Sequence, residues 1–245
     1  MHYVCSDIHG QKALWDRLLR ELDLKPEDTL YVLGDVIDRG PESMPILQEI
    51  MRSSNIEMFV GNHELMMLDH LDRTGDPTNW FLGNNGGRKT LAEYRKLPEN
   101  ERKEILDFLH ESYVQKFVEV DGVKYALSHS LTIPGYDGID LKYKDANNDD
   151  VFIAVWFSPY RIIEYMPEAV YKDEYVHIIG HVPVQLVPEG PDKPPLYGRE
   201  IGEHLIDIDG GCARIAFGKP GGLYCMSLEK EENGKRKEFW ITPED

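Results

Sequence analysis

The sequence predicts an α/β domain, and three observations carry that reading. The first third alternates short β-prone runs with amphipathic helical stretches. The second half holds further apolar β-prone runs bounded by turn residues. No linker, internal repeat or low-complexity tract divides the 245 residues, so residues 1–245 are expected to form one domain.

The elements follow in order. Tyr3-Val4-Cys5 reads as a short apolar strand. From Gln11 to Leu22, the side chains of Leu14, Leu18, Leu19 and Leu22 share one helical face. Thr29 to Leu33 is a second β-prone run. Pro41 then occupies what would be the first turn of a helix, in which Met44, Leu47 and Met51 keep helical spacing. Ile56 to Val60 completes a βαβαβ pattern, which implies parallel strands with helices on the sheet faces. The middle reads as helix over Glu64–Leu71, Arg88–Arg95 and Glu99–Glu111, interrupted by a loop containing Asp76-Pro77 and Trp80. Asp121-Gly122 between Val114–Val120 and Val123–Ser128 marks a hairpin. The polar, acidic run from Pro134 to Asp150 reads as a loop. Val176–Gly180, Leu205–Asp209, Arg214–Phe217 and Leu223–Leu228 read as strands of another sheet, the last two joined through Lys219-Pro220-Gly221-Gly222.

Composition narrows the function. The 44 acidic against 27 basic side chains give a formal charge of -17, which leaves no basic stripe for the backbone of a long nucleic acid. At 41% hydrophobic and 10% aromatic the chain is too apolar to be disordered. No run approaches the ~18 apolar residues of a membrane helix. The segment Met1-His2-Tyr3-Val4-Cys5-Ser6 lacks the basic and apolar regions of a signal peptide. Cys5, Cys212 and Cys225 are an odd, sparse set, as expected of a reduced cytoplasmic protein without membrane partners.

Three strand ends concentrate the chemistry. Ser6-Asp7-Ile8-His9-Gly10 follows the first strand, Gly34-Asp35-Val36-Ile37-Asp38-Arg39-Gly40 the second, and Gly61-Asn62-His63-Glu64 the third. In a parallel sheet the carboxyl ends of strands lie along one edge, where ligands bind, so Asp7, His9, Asp35, Asp38, Asn62 and His63 should converge. Carboxylate, imidazole and amide oxygen together suit divalent Mn, Fe or Zn.

These motifs, Asp-x-His-Gly, Gly-Asp-x-x-Asp-Arg-Gly and Gly-Asn-His-Glu in this order, resemble the signature of the metal-dependent phosphoprotein phosphatases, calcineurin-like phosphoesterases, in their bacterial form. Ser128-His129, Gly180-His181 and Ile208-Asp209-x-Gly211 continue the resemblance over nearly the whole chain. It implies a four-layer α/β sandwich, two mixed β-sheets face to face with helices outside. It also implies two divalent ions, Mn²⁺ foremost with Fe or Zn as alternatives. Asp7, His9 and Asp35 would hold one ion, and Asp35, Asn62, His129 and His181 the other. A hydroxide bridging the two would attack phosphorus, His63 would protonate the leaving oxygen, Asp38 would orient His63, and Arg39 would hold phosphoryl oxygens. Arg161, following Trp156, is the candidate second phosphate-binding arginine, at a spacing that departs from the family's. Ser6 stands where the family more often has glycine. The stretch from Trp80 through Gly86-Gly87 to Thr90 resembles a Trp…Gly-Gly…Thr segment of bacterial relatives, and predicts a substrate loop in which Asn85, Gly86 and Gly87 meet an anion.

The implied reaction is hydrolysis of a phosphate monoester, with a phosphoserine or phosphothreonine protein as leading substrate and a small phosphorylated metabolite as another. Symmetrical hydrolysis of bis(5′-nucleosyl) tetraphosphate is the enzymatic alternative. A non-catalytic phosphate-binding scaffold is the third possibility. Two divalent ions contribute +4, and Asp7, Asp35 and a hydroxide subtract 3, so a pocket of net charge about +1 can sit within an acidic chain.

Overall fold

The structure, a computed structural model, describes residues 1–75, 78–158, 160, 174–186, 199–201 and 204–243. In the first sheet, β1 (His2–Cys5), β2 (Thr29–Val32) and β3 (Ile56–Met58) run parallel, connected by α1 (Lys12–Leu22) and α2 (Ser43–Arg52), as the βαβαβ pattern requires. The second sheet is built from β4 (Tyr113–Val120), β5 (Val123–Ser128), β6 (Leu141–Lys142), β7 (Val176–Ile179), β8 (Arg199–Ile201) and β9 (Leu205–Asp207). Its order is β6-β4-β5-β7-β9-β8, with β5, β7 and β9 parallel. The chain then returns to the first sheet. There β10 (Leu223–Lys230) pairs antiparallel with β1 and β11 (Arg236–Ile241) with β10, for the order β11-β10-β1-β2-β3.

Alternation along each strand of the first sheet assigns its two faces. Tyr3, Cys5, Leu30, Val32, Leu223 and Cys225 pack with Leu14, Trp15, Leu18 and Leu47 beneath the helices. Val4, Tyr31, Leu33, Tyr224, Met226 and Leu228 face Tyr125, Leu127, Ile178 and Ile206 of the second sheet. A sheet covered on both faces reads as continuous apolar runs, which is why these strands were legible. Helices α3 (Asn62–Asp72), α4 (Thr78–Phe81), α5 (Gly87–Lys96) and α6 (Glu99–Glu111) follow β3. On the far side of the second sheet, α7 (Asn148–Trp156) packs Val151, Ala154 and Val155 against Val114. The result is the four-layer sandwich.

Besides α4, which occupies part of the stretch read as a loop around Trp80, and β8, which had no counterpart, three segments correct the sequence reading. Arg214–Phe217 is no strand: α8 (Cys212–Ile215) occupies its start, because Gly211 at φ 83° turns the chain out of the sheet. Pro134–Asp150 is not all loop. It contains β6, a 3₁₀ turn over Tyr143–Asp145 and the start of α7, whose N-cap Asn147 accepts a hydrogen bond from the backbone N–H of Asp150. The third is β11, which had no counterpart because only Phe239, Trp240 and Ile241 among its residues are apolar. Among the described residues, no helix is long and apolar enough to cross a membrane.

Candidate functional site

The site grows from strained strand ends. Among the described residues nine non-glycine residues have positive φ, and six of them are Asp7, His9, Asp35, Asp38, Arg39 and His181. Strain of this kind persists where surrounding structure over-determines it, and it clusters at functional sites. Glycines let the strand ends close up. A Cβ on Gly61 would lie 2.3 Å from Asp35 Oδ1, and one on Gly180 would lie 2.1 Å from Asp7 Oδ2.

Asp35 stands between two groups of donors. Its Oδ2 is 3.5 Å from His9 Nε2, and its Oδ1 is 3.5 Å from His129 Nε2. Asn62 Oδ1 lies 3.1 Å from His129 Nε2 and 3.0 Å from His181 Nδ1. Ligands of one ion at about 2.1 Å are separated by roughly 3–3.5 Å at ordinary coordination angles, so these spacings suit a shared cation. The imidazoles are aimed from behind. His9 Nδ1 donates to the Ile37 carbonyl at 3.1 Å and His129 Nδ1 to that of Leu33 at 2.7 Å, which leaves both Nε2 lone pairs facing inward.

Asp7 completes the first group. Its Oδ2 accepts from Ser6 Oγ and from the His181 backbone N–H, whereas its buried Oδ1 has no hydrogen-bond partner and lies 3.9 Å from His9 Nε2. An orphaned carboxylate oxygen in the interior costs free energy unless a cation meets it. Ser6, at the position where glycine is more usual, thus gives Asp7 a donor.

His63 also comes close, its Nε2 being 4.0 Å from Asp35 Oδ2, and His9, Asp35 and His63 could between them hold an ion. The hydrogen bonds separate the roles. His63 Nδ1 is 2.6 Å from Asp38 Oδ2, while Asp7 Oδ1 has no hydrogen-bond partner, so Asp7 is the one left with an oxygen for a cation. The residues present therefore fit two divalent ions: Asp7, His9 and Asp35 for one, Asp35, Asn62, His129 and His181 for the other. Burial, together with mutual repulsion (from Asp209 on Asp7, from Asp7 on Asp35), pushes both carboxyls well above the usual carboxylate range. Burial likewise holds His9, His63 and His129 well below the usual imidazole range. A cluster so costly to charge in isolation is what a cation would stabilise.

Around the dyad, Asp38 accepts from Trp80 Nε1 at 2.7 Å and from Thr90 Oγ1, and burial lifts its carboxyl to about 7. Burial disfavours the charged form of each partner, and the 2.6 Å contact between His63 Nδ1 and Asp38 Oδ2 offsets part of that cost. The Trp80-to-Thr90 stretch, read as a substrate loop, thus buries two of its residues as partners of Asp38. Gly86 (φ 95°) and Gly87 are required by close approach: a Cβ would come within 2.4 Å of Arg39 N and 2.5 Å of Trp80 O respectively. Arg39 is placed by the same segment, donating from Nη1 to Asn84 O at 2.9 Å and from Nη2 to Asn85 Oδ1 at 3.0 Å. Arg161 lies outside the described residues.

Two residues escaped the sequence reading of roles. Glu64 is fully buried. Its Oε2 accepts from the backbone N–H groups of Asp35 (2.8 Å) and Gly61 (2.9 Å), its Oε1 from those of Val36 (2.9 Å) and Ile37 (3.2 Å). One carboxylate thereby ties the second strand end to the third. Its place in Gly-Asn-His-Glu, with the helix-capping spacing from Gly61, was the available signal. Asp209, also buried, accepts from Gly211 N at 2.8 Å and joins Asp35, His63 and Arg39 in lining a cavity of about 420 Å³.

Comparison with known proteins identifies the family. A match to the family described as "Calcineurin-like phosphoesterase" covers residues 3–209. Serine/threonine-protein phosphatase 2 of Escherichia coli is 33% identical over 132 residues, 52% of this chain and 57% of that protein. The symmetrical bis(5′-nucleosyl)-tetraphosphatase of Paracidovorax citrulli is 29% identical over 136 residues, 55% of this chain and 45% of that protein. The aligned region thus spans about half the length of these curated relatives. Among solved structures, a protein serine/threonine phosphatase from Saccharomyces cerevisiae superposes with a TM-score of 0.61 at 14% identity, covering 100% of this chain and 80% of its own. A metallophosphoesterase from Sphaerobacter thermophilus gives 0.56 at 16%, covering 98% and 88%. At these identities the superpositions show the fold alone.

Proposed function

From the premise that the chain belongs to the calcineurin-like phosphoesterases, we propose that it is a two-metal phosphohydrolase in which Asp35 is shared between the ions. The observation that carries this reading is the pair of donor groups meeting on the two oxygens of Asp35. Two divalent ions, Mn²⁺ foremost, would supply positive charge for the phosphoryl oxygens and an activated water.

The chain's own residues do the rest. His63, in its doubly protonated form with Nδ1–H donating to Asp38, delivers the Nε2 proton to the departing oxygen and is left as the neutral Nδ1–H imidazole. Asp38, fixed by Trp80 and Thr90, keeps the ring in that tautomer and orientation. Arg39, held over the cavity by Asn84 and Asn85, retains N–H donors for phosphoryl oxygens. Gly86 and Gly87 let this segment approach Arg39 closely, and an anion at their backbone N–H groups belongs to the same reading.

A phosphate monoester, with phosphoserine or phosphothreonine of a protein as its source, is the substrate suggested by the relative from Escherichia coli. A dinucleoside polyphosphate is the second reading. It is favoured by a cavity of about 420 Å³, within the size range of small-molecule sites and roomier than a lone phosphoryl group requires. The three cysteines are free and buried, in keeping with a reducing cytoplasm.

Assays with Mn²⁺ on p-nitrophenyl phosphate, a phosphothreonine peptide and diadenosine tetraphosphate test the reading. Wild type should hydrolyse at least one of them. His63→Asn should keep both ions and lose about 10²–10⁴ in turnover, the usual contribution of a general acid. Wild-type turnover in that variant on a poor leaving group would contradict the role of His63.

A further inference from the structure

Part of the cavity wall is formed by a segment to which the reaction as described gives no task. After β9 the chain turns at Gly211 and runs through α8 to Gly222, and the stretch is a built structure rather than a loose loop. Gly211 forms a β-bridge with Gly222, and a Cβ on Gly221 would lie 2.1 Å from Gly211 O. Arg214 N–H donates to Gly211 O at 2.9 Å, Lys219 N–H to Arg214 O at 3.1 Å, and Arg214 Nε to Pro220 O at 2.9 Å. Three side chains of this turn, Arg214, Phe217 and Lys219, line the same cavity as His63 and Arg39. The Phe217 ring, 43% exposed, lies 5.7 Å from the Arg39 guanidinium carbon. Lys219 is exposed, and among the described residues it makes no ion pair.

The charge of this wall runs against that of the molecule. On a chain with 44 acidic and 27 basic side chains, the cavity is lined by three permanent cations, Arg39, Arg214 and Lys219, against two carboxylates, Asp35 and Asp209. Asp35 faces the imidazoles. Arg39, with N–H groups left over from its contacts to Asn84 and Asn85, already offers a grip for the phosphoryl group under attack. Two further cations beside an exposed aromatic ring fit a substrate with a second anionic group and a planar portion.

We infer that Arg214 and Lys219 form a subsite for a second phosphate, carried on the leaving group, and that Phe217 provides the surface against which a base of that leaving group rests. The substrate class is a nucleoside polyphosphate cleaved at an anhydride. Water adds to the phosphorus held near Asp35, the P–O bond to the second phosphate breaks, and the departing phosphate oxygen takes its proton from His63 Nε2. This inference rests on the two-metal reading.

The test compares kcat/KM of the Mn²⁺-loaded protein for diadenosine tetraphosphate and for p-nitrophenyl phosphate, in wild type, Lys219→Ala, Arg214→Ala and the double variant. Arg214→Lys controls for the Pro220 contact. The ratio of tetraphosphate to monoester efficiency should fall about 10-fold or more in the double variant, mainly through KM. Phe217→Ala should weaken inhibition of monoester hydrolysis by ADP more than inhibition by tripolyphosphate. Parallel loss on both substrates, an unchanged ratio, or a wild type that cleaves p-nitrophenyl phosphate but not the tetraphosphate overturns the subsite and leaves the two-metal reading standing. A wild type that cleaves neither overturns both.

Discussion

Asp7, His9, Asp35, Asn62, His129 and His181 were legible in the sequence because each sits in a short motif with glycine or serine beside it, and local motifs survive without knowledge of the fold. The structure brings all six together. What sequence could not convey is which side chains hold them in place. Glu64 was visible only as the last letter of a motif, yet it accepts four backbone N–H groups from two strand ends. In Glu64→Gln an NH₂ group replaces one oxygen, so two buried backbone donors face a donor. At about 1–3 kcal/mol for each unsatisfied group, the variant should lose about 2–6 kcal/mol of stability. It should also bind Mn²⁺ more weakly, because Asp35 and Gly61 are no longer tied. Denaturant unfolding and metal titration measure both, and a variant within 1 kcal/mol of wild type would contradict the role given to Glu64.

Elements were read well where both faces of a strand are buried and poorly where a single contact decides. Alternating Ala213, Ile215 and Phe217 around Arg214 imitate a strand, but the left-handed backbone of Gly211 diverts that segment into α8. Asn147 and Asp150 form a capping signal for α7 inside a stretch whose acidity imitates a loop. The Trp80-to-Thr90 stretch was noticed but its chemistry lies deeper than a surface loop, since α4 and α5 deliver Trp80 and Thr90 to Asp38. Replacing Thr90 by Val removes a hydroxyl donor to a buried carboxylate, at a cost of about 1.5–3 kcal/mol. With Asp38 less firmly held, kcat should fall several-fold while metal content stays at the wild-type level. Loss of metal in Thr90→Val would show that α5 supports the ion site directly.

At the scale of the whole molecule, the charge of -17 argues against a basic binder, and the proposed pair of cations would let an acidic chain hold phosphate. The strained backbone of six site residues and the crowded carboxyls of Asp7 and Asp35 are a burden that the proposed cations would relieve. Ions at about 100-fold excess over Kd add roughly 2.7 kcal/mol for each site. For a domain of this size two sites correspond to a Tm higher by about 10–20 °C. Differential scanning calorimetry with Mn²⁺ and with EDTA reads this directly, and equal Tm values would remove the stabilising role of metal.

The central claim is that Asp35 sits between two cations, and electron paramagnetic resonance of the Mn²⁺-titrated protein tests it most directly. Wild type should bind two ions and show the exchange-coupled spectrum of a ligand-bridged pair, and Asp35→Ala should lose both the coupling and at least one ion. A wild type that saturates at one ion, or two ions whose spectrum is uncoupled and unchanged in Asp35→Ala, would contradict the account.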